Sequence, residues 1–197
     1  MTVEPHPAST STSAHSPVTG YEVGSRRPDV QEAAHRAALQ VLRPELATVW
    51  LDATAGPQGW PPDVVRHLAV VGRRARVART TVPLPGRPHR GPDAVALNPS
   101  ADDEFAAACA LAARSSAVEA MSRRGRLVLA RLDVGAPLRL RLTPAQRDAL
   151  LSAVPGLAGN LQAIPRTTDG VDAPAQGPVG RWLARWRSGR PAPDRAG

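Results

Sequence analysis

The sequence predicts an α+β fold, with a single mixed sheet and helices packed on it, and two observations lead to this class. From residue 46 to residue 132, strand-like and helix-like hydrophobic patterns follow each other in the order β-α-β-β-α-β, the arrangement called ferredoxin-like, and a further strand and helix come after it. The length of 197 residues suits one domain with flexible ends. An open α/β sheet with crossover helices is the alternative architecture.

The first two elements of the predicted domain are a helix and a strand. The stretch PDVQEAAHRAALQVL begins at Pro28, and proline is favoured in the first turn of a helix. Its residues Val30, Ala34, Ala37 and Val41 share one face, which is the spacing of an amphipathic helix. The stretch ELATVWLDA that follows has a β-branched and aromatic centre, which is typical of a strand.

A short helix and two strands are predicted next. The stretch PPDVVRHLAVVG predicts a helix that begins near Pro61 and stops at Gly72. ARVARTTV then predicts a second strand, and DAVALN predicts a third short strand after a connector rich in proline and glycine.

The strongest helix pattern covers residues 100–125, SADDEFAAACALAARSSAVEAMSRRG. Ser100 or Asp102 can cap it, acidic residues occupy its first turn and arginines its last, and Gly125 follows its end.

A hairpin and a final helix complete the predicted domain. RLVLARL and PLRLRL alternate around the turn DVGA, with two arginines on the wet face and three leucines on the dry face: Arg139, Arg141, Leu138, Leu140 and Leu142. Thr143 and Gln146 have the spacing of a capping box, so a last helix starts there and ends before Pro155.

Composition divides the chain into five segments. Segments poor in bulky apolar residues cannot offset the entropy of ordering, so we expect disorder at both ends. The predicted division is a disordered tail (1–24), a single α+β domain (25–164), a Pro/Gly-rich linker (165–180), a short Trp/Arg helix (181–190) and a disordered end (191–197).

The formal net charge is +8, and the sequence contains no lysine, so all of the Lys+Arg total is arginine. This suits a polyanionic partner and equally suits GC-rich codon usage. Seven arginines between residues 61 and 92 have one acid, Asp63, among them. We call them the arginine strip: Arg66, Arg73, Arg74, Arg76, Arg79, Arg87 and Arg90.

The arginine strip has two interpretations. It could bind nucleic acid or an acidic protein surface, although the absence of nearby stacking aromatics predicts weak nucleic-acid binding. The alternative is a solvated strand edge that the arginines protect from pairing.

Reactive side chains are sparse. A single cysteine, Cys109, excludes an internal disulfide and a multi-cysteine zinc site, and its alanine-rich surroundings predict a buried apolar role. The histidines do not have the spacing of metal ligands, so we expect no metal and no cofactor. Without a signal-like start or a run long enough to span a membrane, we expect a cytoplasmic protein.

Residues 51–60, LDATAGPQGW, place a small-residue turn after a strand, an arrangement that can hold a nucleotide or an S-adenosyl group. The candidate ligand residues are Asp52, Thr54, Gly56, Gly59 and Trp60.

These ten residues resemble the glycine loop of the ribose methyltransferases, with a consensus close to L-D-L-C-A-A-P-G-G-W. The matching positions are Leu51, Asp52, Ala55, Pro57, Gly59 and Trp60. The catalytic tetrad of that family contains two lysines and this chain contains none, so the resemblance implies at most a degenerate ligand site. The alternative is a strand and a turn in which Pro61 and Pro62 start a helix.

The C-terminal stretch GRWLARWRSGR holds two of the four tryptophans. On a helix Trp182 and Trp186 lie one turn apart, and Arg181 and Arg185 form the neighbouring stripe. Three interpretations are open: a helix folded back over the core, a docking segment for a partner protein, or a basic aromatic anchor at an anionic membrane surface.

The sequence favours a non-enzymatic accessory or regulatory protein that binds another protein, with the C-terminal Trp/Arg stretch as its docking segment, because Trp and Arg are typical interface anchors. A small-ligand enzyme or pseudoenzyme using residues 51–60, and a weak nucleic-acid binder using the arginine strip, are the alternatives. The oligomeric state stays open.

Overall fold

The computed structural model describes residues 17–25, 27–52, 60–80, 94–133 and 135–165. Seven strands of this described chain form one sheet: β1 (Thr19–Val23), β2 (Leu46–Leu51), β3 (Val95–Leu97), β4 (Val118–Ser122), β5 (Leu127–Arg131), β6 (Leu138–Leu142) and β7 (Leu161–Ala163). The α+β class is confirmed.

The strand order across the sheet is β3-β2-β4-β5-β6-β1-β7, and each pairing of neighbours is antiparallel. The predicted mixed sheet is therefore wrong, as is the open α/β alternative, because both require parallel strands. The ferredoxin-like core is not confirmed, since one predicted strand is a helix and the second half of one predicted helix contains a strand.

The helices are α1 (Pro28–Leu42), α2 (Pro62–Val65), α3 (Leu68–Thr80), α4 (Asp102–Leu111) and α5 (Pro144–Ala153). The first and last follow the sequence prediction. The capping box of α5 is present: Gln146 N–H donates to Thr143 Oγ1 (3.3 Å), and Thr143 N–H donates to Gln146 Oε1 (2.9 Å).

The predicted second strand, ARVARTTV, is wrong because α3 continues through Gly72 as far as Thr80. A glycine inside a helix costs only about 1 kcal/mol, and Val70, Val71 and Ala75 recover this free energy by packing on the core. Packing of the described side chains on both sides of Gly72 therefore outweighs the local stop signal.

The long helix predicted over residues 100–125 ends at Leu111. A 3₁₀ turn covers Ala112–Arg114, and the rest of the stretch becomes β4, between β2 and β5. Gly125 has φ 68° in the tight turn from β4 to β5, so its left-handed backbone closes a hairpin instead of capping a helix. The N-cap of α4 is Ala101, without a side-chain cap from either predicted residue.

Residues 19–23, predicted as part of the disordered tail, form β1, which lies between β6 and β7. Its register with β6 pairs Thr19 with Leu142 and Val23 with Leu138. Residues 1–16 lie outside the described residues, as do the linker after residue 165 and everything beyond it.

The sheet has one face toward the helices and one face away from them. Since paired residues share a face and successive residues alternate, the helix side carries the buried Val49, Ala120, Leu129 and Leu140. The predicted placement of the β6 leucines in the core, with Arg139 and Arg141 opposite, is confirmed.

The opposite side, which we call the outer face, carries a continuous row of cross-strand neighbours. From β2 to β1 these are Trp50, Glu119, Ala130, Arg139 and Glu22.

A buried arginine ties the sheet to the end of α4. Arg131, 3% exposed, donates from Nη2 to the carbonyl oxygens of Ala112 (2.9 Å) and Ser115 (2.5 Å). These carbonyls end the helical stretch, where a positive charge is favourable. Burial lowers the pKa of the Arg131 guanidinium, against the opposing effect of Asp133.

A fully buried histidine, His35 of α1, lies close enough to Arg131 to feel its charge. Its Nδ1 lies 2.7 Å from the carbonyl oxygen of Gln31, so Nδ1 carries the proton and donates it. Burial first, and the Arg131 charge second, lower the pKa of His35 to about 4, although the bond to Gln31 acts in the opposite sense.

Replacing Arg131 with alanine is expected to lower the free energy of unfolding by about 3 kcal/mol, because two buried carbonyls lose a charged donor. Urea unfolding followed by circular dichroism measures this change. Arg126→Ala, in the exposed β4–β5 turn, is the matched control and should change stability by no more than about 0.5 kcal/mol. Similar losses in both variants would contradict the role assigned to Arg131.

Acid is expected to destabilise the fold through His35. Its folded pKa of about 4 lies below the unfolded value of about 6.5, so between these values the unfolded state binds more protons and stability falls as pH falls. The loss begins near the unfolded pKa and reaches about 3 kcal/mol in full. Urea unfolding at about pH 7.5 and about pH 4.5 should show a smaller loss for His35→Leu than for the natural chain. Equal losses would disprove the assignment.

Candidate functional site

The structure describes only two of the candidate ligand residues. Asp52 follows β2, and its N–H donates to the carbonyl oxygen of Ala117 (2.9 Å), which extends the ladder between β2 and β4. Trp60 is partly buried against the core. Thr54, Gly56 and Gly59 lie outside the described residues.

On the far side of that turn, α2 starts at Pro62, and the N–H groups of Val64 and Val65 donate to the carbonyl oxygen of Pro61. The described ends of the stretch therefore have the form of a strand and a proline-started helix, as the alternative interpretation predicts. With four residues, α2 is too short to offer the N-terminal anion site of a full helix.

The arginine strip lies mostly on helices, so the interpretation of a guarded strand edge is wrong for residues 73–79. Arg66 follows α2, and Arg73 and Arg74 lie on α3. The backbones of Arg76 and Arg79 continue α3, and Arg87 and Arg90 lie outside the described residues.

Three consecutive acids at the start of α4 each meet a different arginine. Arg73 Nη2 lies 3.3 Å from Asp103 Oδ2, and Arg74 Nε lies 2.9 Å from Glu104 Oε2. Arg43 Nη2 pairs with Asp102. From the sequence, the only role expected of these acids is a favourable interaction with the dipole at the start of the helix. In the fold, Asp103 and Glu104 also neutralise part of the arginine strip.

The contacts of Arg43 and Glu104 show that this network is structural. Arg43 Nε donates to the carbonyl oxygen of Pro99 (3.1 Å), and its guanidinium carbon lies 4.2 Å from the ring centroid of Phe105. Glu104 Oε2 also accepts the N–H of Asn98 (2.7 Å). These ion pairs join the end of α1, α3 and the start of α4.

Removing the acids that neutralise the strip is expected to strengthen binding to polyanions. Asp103→Asn/Glu104→Gln should elute from heparin at higher salt than the natural chain, because Arg73 and Arg74 become available to sulfate groups. Asp29→Asn/Asp148→Asn, which breaks two exposed pairs elsewhere and makes the same change in net charge, is the control and should change elution less. Equal shifts would show that net charge alone decides elution.

Two of the described reactive side chains, Cys109 and His35, are buried. Cys109 lies in the core as predicted, and burial raises the pKa of its thiol to about 11, which disfavours the nucleophilic thiolate. Within the described ranges, no three side chains of His, Cys, Asp or Glu come together as a metal site requires.

The outer face contains buried residues that sequence reasoning missed. Trp50 and Glu119 are each 8% exposed and Ala130 is 0% exposed, although they point away from the helices. Ala130 belongs to a small apolar cluster with Leu127 and Leu132, separate from the main core. The alternation of side chains along β2 could have placed Trp50 on the face opposite to that of Val49 and Leu51. Glu119 could not be assigned to that face, because the sequence predicted that it lies in a helix.

Two successive rows of the outer face form a compact surface on β2, β4 and β5. The first row is Trp50, Glu119 and Ala130, and the next places Asp52 and Leu132 on either side of Ala117. We call the five residues Trp50, Asp52, Glu119, Ala130 and Leu132 the Trp50 patch. It combines an apolar surface with two carboxylates.

The four residues of the predicted docking segment, Arg181, Trp182, Arg185 and Trp186, lie outside the described residues. Comparisons of the chain with protein-family models, with curated proteins and with solved structures find no match. Among the helices that the structure describes, none has the length and apolar character needed to cross a membrane.

Proposed function

We propose that this chain is an accessory or regulatory protein without catalytic activity, which acts by binding another protein through its C-terminal Trp/Arg segment, residues 181–190. The observation that supports this proposal is the position of the last described strand. β7 lies at an edge of the sheet, so the linker predicted from residue 165 begins beside that edge.

A segment that leaves from an edge strand starts at the border of the sheet and has both the outer face and the solvent within reach. Such a position suits a docking peptide carried by a stable domain. The segment supplies the anchors Trp182 and Trp186, which offer large apolar area, and the flanking Arg181 and Arg185, which can bind carboxylates in a fork geometry.

The chemistry of the segment defines the kind of partner. Two tryptophans one helical turn apart fit an apolar groove, and arginines beside them fit carboxylates at its rim. We therefore expect a partner protein with an apolar groove bordered by acidic residues.

The described residues give less support to an enzyme. Cys109 and His35 are buried. Burial raises the pKa of the Cys109 thiol and lowers the pKa of the His35 imidazole, so both groups are favoured in their uncharged forms. A nucleophile and a general base need to meet each other and the substrate at an accessible site. Neither of these two side chains offers that access.

The proposal predicts that Trp182→Ala/Trp186→Ala lowers retention of the partner at least about tenfold, because truncating an interface anchor costs about 2 kcal/mol or more. The measurement is a pull-down from lysate of the source organism with full-length bait, followed by quantification of the retained protein. Trp60→Phe, which changes a tryptophan of the candidate ligand turn, is the control and should retain the partner fully.

Three outcomes would contradict the proposal. Unchanged retention together with a lower melting temperature for Trp182→Ala/Trp186→Ala would make the segment purely structural. Loss of retention after nuclease treatment would favour nucleic-acid binding. Loss of retention in Trp60→Phe alone would indicate that the partner binds at residues 51–60 instead.

A further inference from the structure

We infer that the loop between β4 and β5 is a second binding site, which holds the phosphate backbone of duplex nucleic acid through Arg123 and Arg126. This activity is separate from the protein docking proposed above and does not depend on it. Three features of the loop support the site: a backbone fixed by hydrogen bonds, guanidinium groups without a carboxylate partner, and an exposed surface without apolar side chains.

The backbone of the loop, residues 123–125, is fixed by hydrogen bonds. The N–H of Ser122 donates to the carbonyl oxygen of Arg126 (2.8 Å), and the N–H of Arg126 donates to Ser122 Oγ (3.2 Å). The N–H of Gly125 donates to the carbonyl oxygen of Ser122 (2.9 Å), and the N–H of Arg123 donates to the carbonyl oxygen of Glu45 (2.8 Å), directly before β2. Both arginines therefore extend from a preorganised turn, which reduces the entropy lost when a ligand binds.

The guanidinium groups of Arg123 and Arg126 are not neutralised by the described residues. Most described arginines outside the loop pair with a carboxylate. Arg123 and Arg126 are exposed, and neither forms an ion pair with an acidic side chain of the described chain. Glu45, whose backbone contacts the loop, accepts a hydrogen bond on its carboxylate from Gln146 Nε2 (3.0 Å). Positive charge therefore stays concentrated at this end of the sheet.

Arg124 lies between these two arginines in the sequence and is also exposed. It already interacts within the chain, so we assign the site to Arg123 and Arg126.

The surface of the loop selects the class of partner. Residues 123–126 are three arginines and one glycine, and all four are exposed. The loop therefore lacks the apolar or aromatic centre on which a protein interface depends. It also lacks the aromatic side chains on which unpaired bases stack. Guanidinium groups alone suit the phosphate oxygens of a duplex, and such contacts carry no sequence information.

Two phosphate contacts predict binding that is modest in affinity and sensitive to salt. Each phosphate that a protein neutralises adds about 0.9 to the slope of log K against log salt concentration. The contribution of Arg123 and Arg126 is therefore about 1.8 of the total slope. Since other arginines of a basic chain also attract a duplex, the difference in slope between variants measures the contribution of the loop.

The test is fluorescence anisotropy of a labelled DNA duplex of roughly 20 base pairs and mixed sequence, titrated with the full-length chain between about 50 and about 200 mM salt. Arg123→Gln/Arg126→Gln should bind at least about tenfold more weakly at the lowest salt concentration, with a slope smaller by about 1.8. Arg123→Lys/Arg126→Lys keeps both charges and should keep the slope. Circular dichroism verifies that each variant is folded.

Arg27→Gln/Arg36→Gln is the matched control, because it removes two exposed arginines that already pair with acids and makes the same change in net charge. Its slope should stay within about 0.5 of that of the natural chain. An equal decrease in both double variants would overturn the inference in favour of net charge, as would an unchanged slope in Arg123→Gln/Arg126→Gln.

The same variants distinguish a duplex from an anionic membrane. If Arg123→Gln/Arg126→Gln lost binding to vesicles of phosphatidylcholine and phosphatidylserine but still bound the duplex like the natural chain, the inference would be overturned in favour of lipid. Since no protein partner is present in these titrations, their outcome is separate from that of the pull-down.

Discussion

The contact between Arg131 and the carbonyls of Ala112 and Ser115 is the constraint on which the rest of the structure depends. It ends the helical stretch of α4 at one place, so that the following residues enter the sheet as β4 between β2 and β5. An arginine on the core side of β5 is expensive to desolvate, and the two carbonyls compensate because they would otherwise be buried without a charged donor. The helix layer and the sheet are thereby joined at a polar contact inside an apolar core.

Outside the core, the positions of the charged side chains decide the local charge of each surface more than the net charge of the chain does. The arginines that look unopposed along the sequence meet acids that lie about 30 residues away in the chain, as Arg73 and Asp103 do. Individually such exposed pairs contribute little, but together they determine which surfaces stay positive. A basic protein can consequently have carboxylates beside apolar side chains on one face of its sheet, as in the Trp50 patch.

The sequence predicted those parts of the fold in which local signals and tertiary packing agree. Pro28 and the Thr143/Gln146 box mark helix starts that the structure keeps, and the alternation of β6 places its leucines correctly. The sequence-based prediction was wrong where tertiary packing outweighs local preference. The helix α3 continues through Gly72, and β4 consists of residues that could equally form a helix. The Trp50 patch could not be predicted, because its rows exist only once β4 lies between β2 and β5.

The position of β1 has a consequence for the order in which the fold can form during translation. Among the described strands β1 leaves the ribosome first, and it pairs with β6 and β7, whose residues are about 120 and about 140 positions later in the chain. At usual rates of synthesis, Tyr21 and Val23 wait on the order of ten seconds for their partners. The nascent chain therefore carries an incomplete sheet until β7 has been synthesised, and an interruption of synthesis before β7 leaves the edge of β1 open to pairing with other chains.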